Sequence, residues 1–365
     1  MLFKEATIGP LCVKNRLIRS ATAEMMANDA GRPLPSLALL YRTLARGGVG
    51  LIVTGHLFVH PSGKAHRAMT GIDSDDGIAD LKYLTKAVHE EEGAIAAQIN
   101  HAGRHAATGD PMAPSALPRD GRRSAARAID TGEIETIVSW YAAAARRARD
   151  AGFDAVQIHA AHGYLVSQFL SPLTNRRIDE WGGSPSNRSR FLLDVVSAVR
   201  TVVGPEYPIL VKLGMCDEAD GGLTLEEGVE VVRRLQDRVE LVELSGGVAS
   251  ASAFNIATGV TPGENEAYFR PWAQAVKAAS VDVSIALVGG LRSRAVMDDV
   301  LDSGDAQFVS LCRPLICEPH LPERMRRGQT KASICVSKNR CWPRKGEIGI
   351  SCACPEVKKP DTDNA

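Results

Sequence analysis

Two histidines and a tyrosine lie close together in the stretch VQIHAAHGYL, residues 156–165, where an apolar run ends. His159, His162 and Tyr164 can donate hydrogen bonds and transfer protons, and imidazole can also bind a metal ion. Two other interpretations stay open. The histidines could be core residues bonded to backbone carbonyls, or a zinc pair, although no nearby segment offers a convincing third ligand. The spacing favours a site of binding or protonation at the end of this run.

Short apolar segments recur along the chain and alternate with stretches of helical periodicity. Strands that are apolar on both faces and alternate with helices are typical of a parallel sheet covered by helices. Eight such segments are present, at residues 16–21, 49–54, 94–99, 153–159, 208–213, 239–244, 283–288 and 306–311. Because eight strand–helix units make a closed (β/α)8 barrel, the sequence predicts an α/β fold of the TIM-barrel type. An open doubly wound sheet is the alternative, disfavoured because no G-x-G-x-x-G motif opens an early helix.

The strand ends identify further candidates, because the active site of such a barrel lies at the carboxyl ends of its strands. The third segment ends near Gln98 and the fifth carries Lys212. After the last two segments come Gly289–Gly290 and Cys312–Arg313. The corresponding loops commonly bind phosphate through backbone N–H groups. This pattern predicts a phosphate site, with a plain glycine-rich turn beside an ion-paired arginine as the alternative.

The composition limits the classes of protein to consider. The 365-residue chain is 44% hydrophobic, and its 43 basic and 43 acidic residues give a net charge of zero. A nucleic-acid binder usually has a basic excess, and no apolar run approaches the roughly 20 residues that span a bilayer. The first residues also lack the pattern of a signal peptide. We therefore expect a cytoplasmic protein that acts on a small molecule, without nucleic-acid or membrane partners.

Longer motifs resemble one known family. The string HAAHGYLVSQFLSPLTNRRIDEWGGSPSNRSRF is similar to the signature of the old yellow enzyme family of FMN-dependent oxidoreductases. VKNRLIRSA, AQINHAGR, APSALP, LVGGLRS and SLCRPLICEPHL extend the agreement along almost the whole chain. The resemblance implies a (β/α)8 barrel, FMN as cofactor and NAD(P)H as reductant. It is closest to the barrel of the 2,4-dienoyl-CoA reductase and trimethylamine dehydrogenase types.

The resemblance also implies which residues would bind FMN. Lys212 stands where many relatives have an arginine near flavin N1; lysine keeps the positive charge but lacks the bidentate fork. A cation there favours the anionic reduced flavin. The implied contacts are backbone groups of Ser20, Ala21, Thr22 and Gly55, the Gln98 side chain at the pyrimidine edge, and Gly289, Gly290, Cys312 and Arg313 at the phosphate.

For the opening cluster, the resemblance implies reduction of a conjugated C=C bond. His159 and His162 would hold a carbonyl or nitro oxygen and stabilise developing enolate charge where it forms, and Tyr164 would protonate the α-carbon as a general acid. Two rival functions stay open. One is an oxidative amine dehydrogenase or N-demethylase that passes electrons to a separate partner, and the other is an inactive, flavin-free binding subunit. Self-association as a homo-oligomer is an expectation by analogy only.

Cysteines crowd the C-terminal region, at Cys335, Cys341, Cys352 and Cys354. In the relatives named above, a [4Fe–4S] cluster follows the barrel with the pattern Cys-x2-Cys-x2-Cys-x12-Cys. Three of the cysteines keep that register, but Lys338 stands at the second ligand position, and an ammonium is a poor substitute for a thiolate. We expect an empty, degenerate cluster site without iron and sulfur. A zinc site and an atypical cluster are the alternatives.

Other charged segments are expected to be structural. We assign His101, Arg104 and His105 to a structural turn after the third strand. The basic loop with Arg119, Arg122, Arg123 and Arg127 is predicted to be solvated, with contacts to nucleotide phosphates as the alternative. We predict a barrel domain over residues 1–330 and a cysteine-containing extension over residues 331–365, which ends in a disordered tail.

Overall fold

The computed structural model describes residues 1–121, 124–248, 257–344 and 346–357. Arg122, Arg123 and the last eight residues of the predicted disordered tail lie outside these ranges. In the parts of the chain that are described, no helix combines the length and apolarity needed to cross a membrane.

Parallel strands close into a barrel within the described residues. In chain order the strands are β1 (Ala6–Ile8), β2 (Leu11–Val13), β3 (Leu17–Arg19), β4 (Leu51–Val53), β5 (Leu57–Phe58), β6 (Ala94–Asn100), β7 (Met112–Ala113), β8 (Arg127–Ala128), β9 (Ala155–Ala160), β10 (Ile209–Gly214), β11 (Leu241–Ser245), β12 (Ser284–Leu287) and β13 (Phe308–Leu311). The pairing runs β3–β4–β6–β9–β10–β11–β12–β13, and β13 pairs with β3 to close the ring. Each predicted segment overlaps one of the eight barrel strands, so the (β/α)8 prediction is confirmed.

Helices cover the barrel from outside. They are α1 (Pro35–Arg46), α2 (Ile78–His89), α3 (Thr131–Asp150), α4 (Leu165–Leu170), α5 (Pro185–Val203), α6 (Leu225–Leu235), α7 (Arg270–Ala278), α8 (Arg294–Asp302), α9 (Arg313–Cys317) and α10 (Leu321–Arg326). Local sequence fixes several ends. Asp130 and Glu133 form a capping box on α3, and Thr224 and Glu227 form one on α6, each satisfying backbone N–H groups at the helix start. Gly204 ends α5 with a φ of +85°, a conformation that favours glycine.

The amino-terminal end of the barrel is plugged by the antiparallel hairpin of β1 and β2. Ala6, Ile8 and Val13 of this hairpin pack against inward-facing apolar residues of the barrel, including Leu51 and Phe308. Burial of this surface stabilises the barrel and closes one end to solvent. Within the described residues, the open end of the barrel is therefore the opposite one, at the carboxyl ends of the strands.

The described part of the C-terminal extension packs on that open end. Ser333 Oγ and the Ile334 N–H both donate to the Glu318 carboxylate, at 2.7 and 2.8 Å. Farther along, the Ile350 N–H donates to the Glu24 carbonyl, at 3.1 Å. The extension therefore contributes to the mouth of the barrel. That residues 331–365 form a unit separate from the barrel stays a prediction.

Candidate active site

A cavity of about 330 Å³ lies at the carboxyl ends of the barrel strands. This is the size and position expected for a small-molecule site in such a fold. All predicted catalytic and flavin-binding residues except Gly55 line it: Ser20, Ala21, Thr22, Gln98, His159, His162, Tyr164, Lys212, Gly289, Gly290, Cys312 and Arg313. Residues far apart in the sequence are brought together because each follows a different strand.

His159 and His162 are held by the turn that follows β9. His159 Nδ1 accepts a hydrogen bond from the Ala161 N–H at 3.2 Å, which assigns the ring proton to Nε2. His162 adopts a left-handed backbone conformation with φ +59°, and its N–H donates to the Gly246 carbonyl at 3.1 Å. Its Nε2 lies 2.7 Å from Ser245 Oγ. The two rings are therefore held by groups on β9 and β11 beside the cavity.

The cluster has a defined protonation state at neutral pH. Burial lowers the pKa of His162 to about 3 and holds that of His159 well below its usual value, and the Lys212 ammonium adds to both effects. Burial raises the pKa of Tyr164 to about 12. The His159 ring centroid lies 5.1 Å from that of His162 and 5.0 Å from that of Tyr164, in edge-on contacts. Two neutral imidazoles and one protonated phenol therefore share the cavity wall.

The two alternative interpretations of the histidines are not favoured by these contacts. Within the described residues, the His162 ring bonds a serine hydroxyl and the His159 ring accepts from a backbone N–H, and neither ring bonds a backbone carbonyl. Across the described ranges, no three His, Cys, Asp or Glu side chains are arranged to hold a metal ion.

His56 is a cavity residue that sequence reasoning missed. Its ring centroid lies 5.0 Å from that of Tyr164, and its Nδ1 lies 3.0 Å from Asn100 Nδ2. Burial lowers its pKa to about 3, so it is a third neutral imidazole beside the phenol. It directly follows Gly55 at the end of the second predicted strand. The rule that strand ends form the site would have found it.

A chain of buried polar side chains crosses the base of the cavity. Gln98 Nε2 donates to Gln157 Oε1 at 2.7 Å, and Gln157 Nε2 donates to Glu243 Oε2 at 3.1 Å. The ammonium of Lys212 lies 3.2 Å from the same Glu243 oxygen and donates to Ser20 Oγ at 2.7 Å. Lys212 is therefore fixed from two sides, and its charge faces the cavity beside a carboxylate that sequence reasoning missed.

Gly55 does not line the cavity. Its N–H donates to Glu24 Oε1 at 2.8 Å, and the same carboxylate binds Arg19 at 2.8 Å and the Tyr41 hydroxyl at 2.8 Å. A Cβ atom at residue 55 would lie 2.5 Å from the Thr22 carbonyl oxygen and 1.9 Å from Glu24 Oε2, so glycine is required there. This network ties the loops after β3 and β4 together. A contact of Gly55 with FMN stays a prediction.

The part of the cavity that follows β12 and β13 is suited to bind an anion. We call Gly289, Gly290, Arg292, Cys312 and Arg313 the phosphate pole. The two glycines have φ values of +123° and +74°, and Cys312 Sγ lies 3.1 Å from Thr22 Oγ1. Arg313 donates to the Ala257 carbonyl at 2.7 Å and to Asn339 Oδ1 at 2.5 Å. Within the described residues it has no ion pair with a carboxylate, in contrast to the alternative considered from sequence.

Arg292 gives the clearest indication that an anion belongs at this pole. Its side chain is 0% exposed and lines the cavity, yet its Nε and Nη1 atoms find no hydrogen-bond partner among the described residues. A buried guanidinium without a partner is costly. A phosphate group would satisfy it and would match the fork of donors. The residues present therefore fit FMN, whose phosphate Arg292 and Arg313 could hold.

The cysteine segment borders the same cavity. Cys341, Trp342 and Ile350 contribute to its wall, and burial raises the pKa of the Cys341 thiol to about 12. The Lys338 ammonium pairs with Glu356, and both side chains are about half exposed. All four cysteines of the segment are unpaired thiols. Whether they hold iron, zinc or nothing stays a prediction.

Known proteins resemble this chain over most of its length. The model of the NADH:flavin oxidoreductase / NADH oxidase family matches residues 1–332. The NADH oxidase of Thermoanaerobacter brockii is 35% identical over 347 residues, which are 93% of this chain and 52% of that protein. The NADPH dehydrogenase of Clostridium acetobutylicum is 34% identical over 322 residues, which are 87% of this chain and 92% of that protein. The chain thus spans about half of the first relative and nearly all of the second.

Solved structures also resemble this chain over most of its length. A 2-naphthoyl-CoA reductase complex superimposes with a TM-score of 0.83 at 28% identity, over 90% of this chain and 52% of that one. Morphinone reductase in complex with tetrahydroNAD superimposes with a TM-score of 0.76 at 29% identity, over 90% and 91%. These matches confirm the resemblance found in the sequence motifs, and with it an oxidoreductase that uses FMN and takes NAD(P)H as reductant. The chain belongs to the NADH:flavin oxidoreductase / NADH oxidase family.

Proposed function

We propose that this protein is an ene-reductase: it takes hydride from NAD(P)H and reduces an electron-poor C=C bond of a small molecule. The observation that carries the proposal is the convergence of His159, His162 and Tyr164 on the cavity that is also lined by most of the residues predicted to bind the flavin. The NADPH dehydrogenase and morphinone reductase relatives support it. When bound, FMN supplies the group that accepts hydride and passes it on.

The two imidazoles would bind the oxygen of the activating group. Since the pKa of both rings is lowered, they are neutral at pH 7 and act as hydrogen-bond donors without a net charge. Such donors suit a neutral acceptor such as an enone carbonyl, and they stabilise the negative charge that develops on its oxygen. Donors placed at a developing oxyanion are each worth about 10²–10³-fold in rate.

Tyr164 would supply the proton. Its raised pKa of about 12 keeps the phenol protonated throughout the ordinary pH range. The phenol can therefore donate to the α-carbon as charge builds there, and recover its proton afterwards. A positioned general acid contributes about 10²–10⁴-fold.

Tyr164→Phe tests this assignment, with the two half-reactions measured separately by stopped flow. We expect reduction of the flavin by NADPH to be unchanged, and reoxidation by 2-cyclohexenone to slow about 10²–10⁴-fold. Tyr83→Phe is the matched control, because Tyr83 is 70% exposed on α2. An unchanged reoxidation rate in Tyr164→Phe would remove this residue from the mechanism.

A cytoplasmic location and self-association as a homo-oligomer belong to the same proposal. The first is supported by the composition of the chain and the second by the resemblance.

A further inference from the structure

We propose that Glu243 sets the reduction potential of the bound flavin by partly neutralising the charge of Lys212. The inference rests on the proposed binding of FMN in this cavity. Glu243 does not line the cavity, whereas Lys212 does. It is therefore a positioning residue that acts through the lysine.

The register of the barrel places these two residues side by side. Lys212 on β10 pairs with Glu243 on β11, and the side chains are 4% and 1% exposed. One carboxylate oxygen lies 3.2 Å from the ammonium. The other, Glu243 Oε1, has no hydrogen-bond partner among the described residues. The carboxylate is therefore compensated chiefly by Lys212 and by one amide of Gln157.

This pairing reduces the electrostatic effect of the lysine on the cavity. A lone buried cation would favour the reduced flavin, because reduction adds negative charge. An adjacent buried carboxylate opposes that effect, and charges interact strongly where water is excluded. The cavity therefore faces an ion pair rather than an isolated ammonium. Glu243 makes the flavin harder to reduce and a stronger hydride donor once it is reduced.

The Glu243 carboxylate also connects Lys212 to Gln98, the residue predicted to contact the pyrimidine edge of the flavin. Gln157 bonds both Glu243 and Gln98, at 3.1 and 2.7 Å. Ser20 Oγ accepts a hydrogen bond from Lys212 at 2.7 Å. The position of the ammonium is therefore fixed by groups on several strands, and a change at Glu243 alters its charge balance more than its place.

The test is the midpoint potential of the FMN-loaded protein, measured by equilibration with a redox dye. Glu243→Gln keeps an oxygen that accepts from Gln157 but removes the negative charge. We expect the equilibrium to shift at least about tenfold toward the reduced flavin, which is about 30 mV for a two-electron couple. Glu240→Gln is the matched control. Glu240 precedes β11, pairs with Arg200 of α5 and does not line the cavity, so the potential should not change.

A second variant is needed in case Glu243→Gln does not fold, because this substitution leaves a buried ammonium without its carboxylate. Glu243→Asp keeps the charge but draws it back from the cavity, and we expect a smaller rise in potential. An unchanged or lower potential in whichever variants fold would overturn the proposal. Failure of the proposed function would be recognised separately, because the unmodified protein would then lack the visible spectrum of FMN or would not be bleached by NADPH.

Discussion

Replacing Arg292 by methionine is expected to weaken FMN binding and, at the same time, to stabilise the flavin-free protein. Arg292 is 0% exposed, and its Nε and Nη1 atoms lack partners among the described residues. A hydrogen bond to a charged group contributes about 1.5–3 kcal/mol, and about 1.4 kcal/mol is a factor of ten. Loss of one such contact to the phosphate therefore predicts a dissociation constant about 10- to 150-fold higher.

Without the cofactor, the same substitution is expected to raise the stability of the protein. An unpaired buried group costs about 1–3 kcal/mol, and an unbranched apolar side chain of similar length removes that cost. For a chain of 365 residues each kcal/mol moves Tm by about 1.3 °C, so the flavin-free variant should melt about 1–4 °C higher.

The assay is a titration of flavin-free protein with FMN, followed by the quenching of flavin fluorescence, together with thermal melts of the flavin-free forms. Arg294→Met is the matched control, because Arg294 is 43% exposed and pairs with Asp298. Equal FMN affinity in Arg292→Met and the unmodified protein would refute the inference from an unpaired guanidinium to a phosphate ligand.

Two further predictions concern stability. Burial holds the pKa of His56, His101 and His162 at about 3, below the value of about 6.5 in an unfolded chain. The unfolded state therefore takes up protons first, so stability is full above about pH 6.5 and falls as pH drops toward 3, by about 2 kcal/mol per histidine at pH 5. Urea unfolding at pH 7 and pH 5 measures this difference, and equal values would contradict the lowered pKa values. Asp217→Ala should cost about 2–5 kcal/mol in urea unfolding, whereas the exposed Asp220→Ala should cost almost nothing; equal values would exclude a structural role of the carboxylate. Asp217 accepts hydrogen bonds from Ser171 Oγ, Leu223 N–H and Val248 N–H.

The barrel and most of its cavity could be predicted from the sequence because periodicity carries that information. Buried strands of a closed parallel barrel are apolar on both faces, so each is visible as a short apolar run. Residues at the ends of such runs meet at one end of the barrel whatever the details of packing. His159 and Lys212 were found in this way, and both line the cavity.

What the sequence could not supply is which side chains contact each other. Glu243 interrupts an apolar strand, but its partner Lys212 is set by the register of two strands that are 26 residues apart at their nearest ends. Arg292 follows Leu291 in a segment that resembles an ordinary surface turn, and only the structure shows its complete burial. The Gly55 N–H donates to Glu24, a carboxylate that nothing in the sequence connects to it, while the contact of Gly55 with FMN stays a prediction.

The most direct test of the account is the visible spectrum of the FMN-loaded protein without air, first with NADPH and then with 2-cyclohexenone. The account predicts a two-band flavin spectrum that bleaches with NADPH and returns with the enone, with cyclohexanone as product. Bleaching by an amine and not by NADPH would favour the oxidative alternative, and bleaching by NADPH without recovery on the enone would contradict ene-reduction.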